Sequence, residues 1–193
     1  MDNNATPTPE QAEEIRWLDH VELDAWIPFS AMLMALLSAL DAQLKRDAGL
    51  SLFAYTAMAG LSEAPERTLP MSELAVLANG SLSRLSHAVS SLERRGWVRR
   101  SPCPDNARIT HATLTDAGYQ KVLATAPGHV ETVRRLVLDS ITPDQLHTLG
   151  ALSQQVLGSL GHPGGGVVAS ERRHVTTHQR RSPGAGRISL HKA

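Results

Sequence analysis

At 193 residues, with 41% hydrophobic and only 4% aromatic side chains, the chain is sized for one domain with tails, its core filled mainly by Leu, Ala and Val. The formal net charge of zero hides seven carboxylates within residues 1–24 against Arg16, six arginines within 79–108 against Glu93 and Asp105, and six cations from Gly161 onward against Glu171; distribution, not the sum, speaks about partners. One cysteine, Cys103, excludes an internal disulfide framework, the acidic N-terminus is wrong for a secretory signal, and the apolar run Ala31–Leu40 is too short to span a bilayer, so a cytoplasmic protein without a membrane partner is expected.

In chain order, residues 1–9 are Asn-, Thr- and Pro-rich and are expected to be disordered. From about Glu10 to Asp47, apolar residues recur at helical spacing, and Pro28 inside the pattern predicts a kink or two helices. Gly49 reads as the stop, and Ser51 as the cap of a helix through Leu61. Residues 62–70 read as a loop, "MSELAVLA" (71–78) as a short helix capped by Ser72, and "NGS" (79–81) as a turn. Ser81 caps the next predicted helix, which runs to Arg95 and stops at Gly96. "WVRRSPC" and "ARITHATL" follow as two strands around a tight turn at "PDNA". Residues 114–160 return to a helical pattern, with Thr115 as a cap, Pro127 and Gly128 as an interruption, and Pro143 at the first position of a last helix. Beyond Leu160 a Gly-, Arg- and His-rich remainder reads as a disordered basic tail.

Short helix, three-residue turn, longer helix and hairpin is the order of a winged helix-turn-helix. On the longer helix, Leu82, Leu85, Ala88, Val89 and Leu92 fall on one side. Ser83, His87, Ser90 and Arg94 lie opposite, flanked by Arg84 and Ser91. A solvated face ordinarily mixes Glu with Lys, and this one has a single acidic residue and no lysine. Small polar side chains let a helix enter a major groove, where Ser and Arg can hydrogen-bond base edges or phosphates. The Arg94–Arg95 and Arg99–Arg100 pairs add attraction to the DNA backbone. Arg108, with Asp105 bracketing the hairpin turn, suits a minor groove. The predicted contacts are Ser83, Arg84 and His87 to bases, Ser81, Arg94, Arg95 and Arg99 to phosphates, and Arg108 to the minor groove.

Residues 71–118, and above all "SRLSHAVSSLERRGWV" and "LTDAG", resemble the DNA-binding region of the MarR (multiple antibiotic resistance regulator) family, and the flanking helices match in order. The resemblance implies a mainly α fold with a small two-stranded β-hairpin wing, flanked by N- and C-terminal dimerisation helices. It divides the chain into dimerisation and pocket helices at 10–62, the winged helix-turn-helix at 63–114, dimerisation helices at 115–160 and the tail at 161–193. It implies a cytoplasmic, nucleoid-associated homodimeric regulator, most often a repressor, on a palindromic double-stranded DNA operator, with a small phenolic or lipophilic effector. By position, Ser81 to Arg94 becomes the recognition helix, and Asp105 orients Arg108. Trp17, His20, Trp26, Phe53 and Tyr55 lie where the family keeps its ligand pocket. One departure is Ala107 in "PDNAR", where the family more often has Gly or a charged residue.

Dimerisation also follows from the long apolar pattern of 10–47, which a small domain cannot bury alone. A rival of another class is a winged helix that docks a protein partner without touching DNA. No nucleophile–base pair, phosphate loop or paired carboxylates point to an enzyme, and no cofactor is implied. Cys103 as a redox sensor and His174 with His178 as a metal pair are both set aside, since each lacks companion ligands.

Overall fold

The computed structural model describes residues 15–103, 106 and 108–161. The expected disorder at 1–9, most of the basic tail, and Asp105 therefore lie outside the described residues. Helix α1 (His20–Ala48) is followed by α2 (Leu52–Glu63), a 3-10 turn (Pro65–Arg67), β1 (Thr68–Pro70), α3 (Met71–Leu77) and α4 (Leu82–Arg94). Then come β2 (Val98–Pro102), β3 (Thr110–Leu114), α5 (Asp116–Leu136), a 3-10 turn (Leu138–Ser140) and α6 (Pro143–Ser159). The chain divides into two compact units between Ala39 and Leu40.

In the first unit α1 runs through Pro28 as one helix and not as two; Pro28 has no N–H to give the Asp24 carbonyl. Asp19 and Glu22 exchange bonds across the start, Glu22 N–H reaching Asp19 Oδ1 at 2.8 Å and Asp19 N–H reaching Glu22 Oε2 at 3.0 Å. Val21, Trp26, Ile27, Met34 and Leu37 are all exposed. Because the helix is continuous, an 18-residue window reaches a mean hydropathy of 1.6 with none of it buried. By length and composition alone it could cross a membrane, which the shorter run Ala31–Leu40 did not suggest.

The second unit holds the core. Leu44, Ala57, Met58, Leu61, Leu74, Leu85 and Val89 are fully buried in one cluster, each larger side chain contributing about 1.5–3 kcal/mol. Gly49 adopts φ +66°, the left-handed conformation that ends α1, and Leu50 N–H turns back to the Leu44 carbonyl. Ser51 then caps α2, accepting from Ala54 N–H at 3.1 Å. Asp41 accepts from Leu52 N–H at 2.8 Å and from Lys45 at 2.6 Å. These bonds, with the charge of Arg84, hold the Asp41 carboxyl below its usual range.

Three details of the loop and helix reading change. The segment read as a loop carries β1, and the sheet is three-stranded in the order β1–β3–β2, all antiparallel, with Leu69 opposite Ala112. A three-residue edge strand ending in proline leaves too little pattern to read, and Pro is tolerated at an edge. Helix α3 starts at Met71 after Pro70, so Ser72 lies inside the first turn and makes no cap. Helix α5 continues through Pro127 because Val122 and Thr125 before it and His129 and Thr132 after it are all buried. Thr115 caps α5 at Gly118 N–H, and Thr142 forms a capping box with Gln145 behind Pro143. No residue of α6 is buried, and Leu146, Leu152 and Val156 lie exposed on it.

His129, 5% exposed, sits with Nδ1 3.4 Å from Gln43 Oε1 and its ring 4.9 Å from that of Tyr55 in an edge contact. Gln43 Nε2 donates to Asp47 at 3.0 Å. Burial pushes the His129 imidazole below its ordinary 6.5. Between its depressed folded value and that unfolded value, the unfolded chain binds a proton that the folded chain refuses. Stability is therefore lost as pH falls below about 6.5. Denaturant titrations at pH 7.5 and 5.5 should show this loss, and His129→Gln should flatten it.

Candidate nucleic-acid interface

Helix α4 is built to show one face. Ser81 accepts from Arg84 N–H at 3.2 Å at its start. Leu85, Val89 and Leu92 bury the inner stripe. Gly96, at φ +71°, turns the chain so that Trp97 N–H reaches the Leu92 carbonyl at 3.0 Å. Leu82, expected in the apolar stripe, is instead 53% exposed. As the first helical residue it overhangs the core and lines a cleft of about 320 Å³ between α4 and the hairpin, with Met71, Ser86, Arg100, Arg108 and Ile109.

Ser83 and His87 project from the exposed face without a side-chain partner among the described residues, and so does Arg94. Arg84 is also exposed, and its guanidinium lies 4.2 Å above the Phe53 ring. Gly80 makes that stack possible, because a Cβ there would stand 2.5 Å from Phe53 Cε2. The stack holds the arginine in one orientation while its N–H edges stay open.

The Arg94–Arg95 and Arg99–Arg100 pairs are each divided by the fold. Arg95 donates to the Gly49 carbonyl at 2.8 Å and lies 5.0 Å over Trp97, whereas Arg94 is free among the described residues. On β2, Val98 is buried and alternation puts Arg100 on its side, facing α4, with Arg99 on the other. Arg100 donates to Glu93, Ser86 and Ser90; Arg99 has no side-chain partner among the described residues. Hydrogen bonds from Arg100 hold the Glu93 carboxyl below its usual range. Ser90, placed on the outer face by helical angle alone, is half-buried and takes part in this contact.

At the wing, Cys103 is half-buried and pairs its backbone with Ile109 at 2.8 Å and Asn106 at 3.3 Å. Arg108 N–H donates to Asn106 Oδ1 at 3.1 Å, and its guanidinium is exposed. Among the ligand candidates, Trp17 (76% exposed), His20 and Trp26 lie exposed in the first unit. Phe53 and Tyr55 are buried in the second, where Phe53 supports Arg84 and Tyr55 meets His129. His129 and Gln43 were missed by sequence reasoning, as was Arg100 as a separate actor. Alternation along β2 was the signal that could have separated Arg100 from Arg99. Among the described residues no group of three or more His, Cys, Asp or Glu could hold a metal, and His174 and His178 lie outside them.

The MarR family model matches residues 54–110. Sco3205, a MarR family transcriptional regulator from Streptomyces coelicolor solved in complex with DNA, is 44% identical with a TM-score of 0.74, over 77% of this chain and 92% of its own. AbsC, another from Streptomyces coelicolor, is 32% identical with a TM-score of 0.71, over 76% and 98%. MepR from S. aureus, solved as a DNA complex, is 16% identical at a TM-score of 0.61 over 69% and 95%, and shows the fold alone. No curated protein matches the chain. The winged helix with its three arginine-bearing elements, and identity at this level over nearly the whole of two regulators, place the chain in the MarR family of transcriptional regulators, which are not enzymes.

Proposed function

We propose that this regulator represses transcription by binding a palindromic DNA operator as a homodimer, and that a small phenolic or lipophilic ligand releases it. The observation that carries the DNA reading is the division of the arginines. Arg94 on α4, Arg99 on β2 and Arg108 on the wing carry charge with no partner among the described residues, which suits them to phosphates and to a narrow minor groove. Ser83 and His87, with Arg84 pre-oriented by Phe53, read base edges. Ser81 uses a lone pair for its cap and keeps its O–H for a phosphate at the helix start. Arg95, drawn toward Gly49, is the weakest of the proposed phosphate contacts. Asp105 orients Arg108, as the family resemblance implies. The DNA-bound state of Sco3205 supports the same reading.

The homodimer rests on apolar surface. Neither the 18-residue window of α1 nor any residue of α6 is buried, and a second copy of the chain would cover both. A two-fold axis then sets two α4 helices about 34 Å apart, which is one turn of DNA and makes the operator palindromic. Effector release has a route through Phe53, since a ligand that displaced this ring would also free Arg84; Trp17, His20, Trp26 and Tyr55 complete the aromatic candidates. The proposed setting is the cytoplasm, at the nucleoid.

The wing assignment is tested on DNA flanking the regulator's own gene. Arg108→Ala should weaken binding by about 1–3 kcal/mol, mostly through A·T-rich flanks. Wild-type strength in matched salt would remove Arg108 from the interface.

A further inference from the structure

All the nitrogens of Arg100 point into one neighbourhood. Its backbone N–H donates to Glu93 Oε1 at 2.9 Å. Its Nε and Nη2 donate to Glu93 Oε2 at 2.9 and 2.6 Å. Nη1 reaches Ser86 Oγ at 3.4 Å and Nη2 reaches Ser90 Oγ at 3.1 Å. Ser90 donates its own O–H to the Ser86 carbonyl at 2.9 Å, so its oxygen is left to accept. The two charged side chains are only 33% and 28% exposed. β2 is an edge strand, and Glu93 satisfies the edge N–H that would otherwise lie open.

These bonds tie together two elements that must engage DNA at the same time. Helix α4 presents Ser83, Arg84 and His87, and the hairpin that starts with β2 presents Arg108. A planar guanidinium held by a carboxylate and two hydroxyls fixes both distance and angle, which a point charge cannot do. The pair is also electrically neutral, so it adds little to attraction for a polyanion.

We propose that Arg100 is a positioning and specificity-determining residue, which locks the wing to α4 through Glu93, Ser86 and Ser90 and is not itself a phosphate ligand. The inference rests on the DNA-binding reading. Its physical content is preorganisation: a wing already set against α4 loses little freedom on docking, and that gain goes to the sequence both elements fit. Non-specific binding depends on charge and not on the angle.

Fluorescence anisotropy would compare a duplex from the promoter flanking the regulator's own gene with a scrambled duplex of equal length, across a salt series. Arg100→Lys keeps the charge and removes the fork. It should lower the promoter-to-scrambled affinity ratio about tenfold and leave the salt slope unchanged. Glu93→Gln makes the chain more positive, yet should weaken promoter binding and lower the same ratio. Arg99→Gln should instead lower the slope by about one unit for each phosphate it no longer neutralises, and keep the ratio. If Arg100→Lys is not folded at the assay temperature, Ser90→Ala, which removes the bond from Arg100 and the Ser90 bond to the Ser86 carbonyl, carries the same comparison and should reduce the ratio at constant slope. Tighter promoter binding by Glu93→Gln, or an unchanged ratio in the Arg100 and Ser90 variants, overturns the inference while the DNA reading stands. A wild-type chain that binds neither duplex overturns both.

Discussion

Gly118→Ala is expected to destabilise the fold by about 3 kcal/mol, the upper end of what forced overpacking ordinarily costs. Gly118 sits in the first turn of α5, where its N–H donates to the capping Thr115 hydroxyl at 3.0 Å. A Cβ there would collide with the Trp97 carbonyl oxygen and lie 2.8 Å from Leu114 Cδ1. The carbonyl cannot retreat cheaply, because Thr115 N–H donates to it at 3.0 Å and the Thr115 hydroxyl shares its one hydrogen between it, at 3.1 Å, and the Gly96 carbonyl, at 2.7 Å. The junction also fixes the wing, since Val98 next to Trp97 pairs with Leu114 across the sheet. Urea unfolding should show the midpoint falling at constant slope. A midpoint within error of wild type would mean that Trp97 and Thr115 shift freely, and that this corner does not set the hairpin.

The second large effect is on binding. Replacing Arg94, Arg99 and Arg108 together by Gln should weaken promoter affinity at least about a thousandfold, near 4 kcal/mol, since each copy of a dimer would then leave three phosphate or groove positions unfilled. The melting temperature should stay close to wild type, because these guanidiniums make no hydrogen bond, ion pair or ring contact among the described residues. The braced arginines are expected to behave otherwise. Arg95→Gln removes the 2.8 Å bond to the Gly49 carbonyl, so its cost should be seen in folding as well as in binding.

Local chemistry made much of the fold legible. Ser51, Ser81 and Thr115 each accept from the N–H three residues on, as capping residues do. Gly49 and Gly96 stop their helices with φ above +60°. Illegible parts were decided by partners distant in sequence. β1 is a strand only because β3 lies beside it, with Thr68 opposite Thr113. Pro127 stays inside α5 because neighbouring residues on both sides are buried.

The same holds for the interface. The serine and arginine face of residues 81–100 was visible, but which arginine of each pair is free depends on where Gly49, Glu93 and Trp97 stand. Strand alternation could have separated Arg99 from Arg100; nothing local separates Arg94 from Arg95. Ser90 looked like a small residue clearing a path to DNA, and it instead receives Arg100, as does Ser86 beside it. His129 gave no sequence signal, because a lone histidine in a helix says nothing of Gln43, 86 residues earlier.

We propose that unpaired arginines on α4 and β2 hold the DNA backbone while the unpaired arginine of the wing enters the minor groove. This is tested most directly by the salt dependence of wild-type binding to its own promoter DNA. With three such cations from each copy of the proposed homodimer, log K should fall with log salt at a slope of about −5. A flat response would mean that this face docks a protein and not DNA.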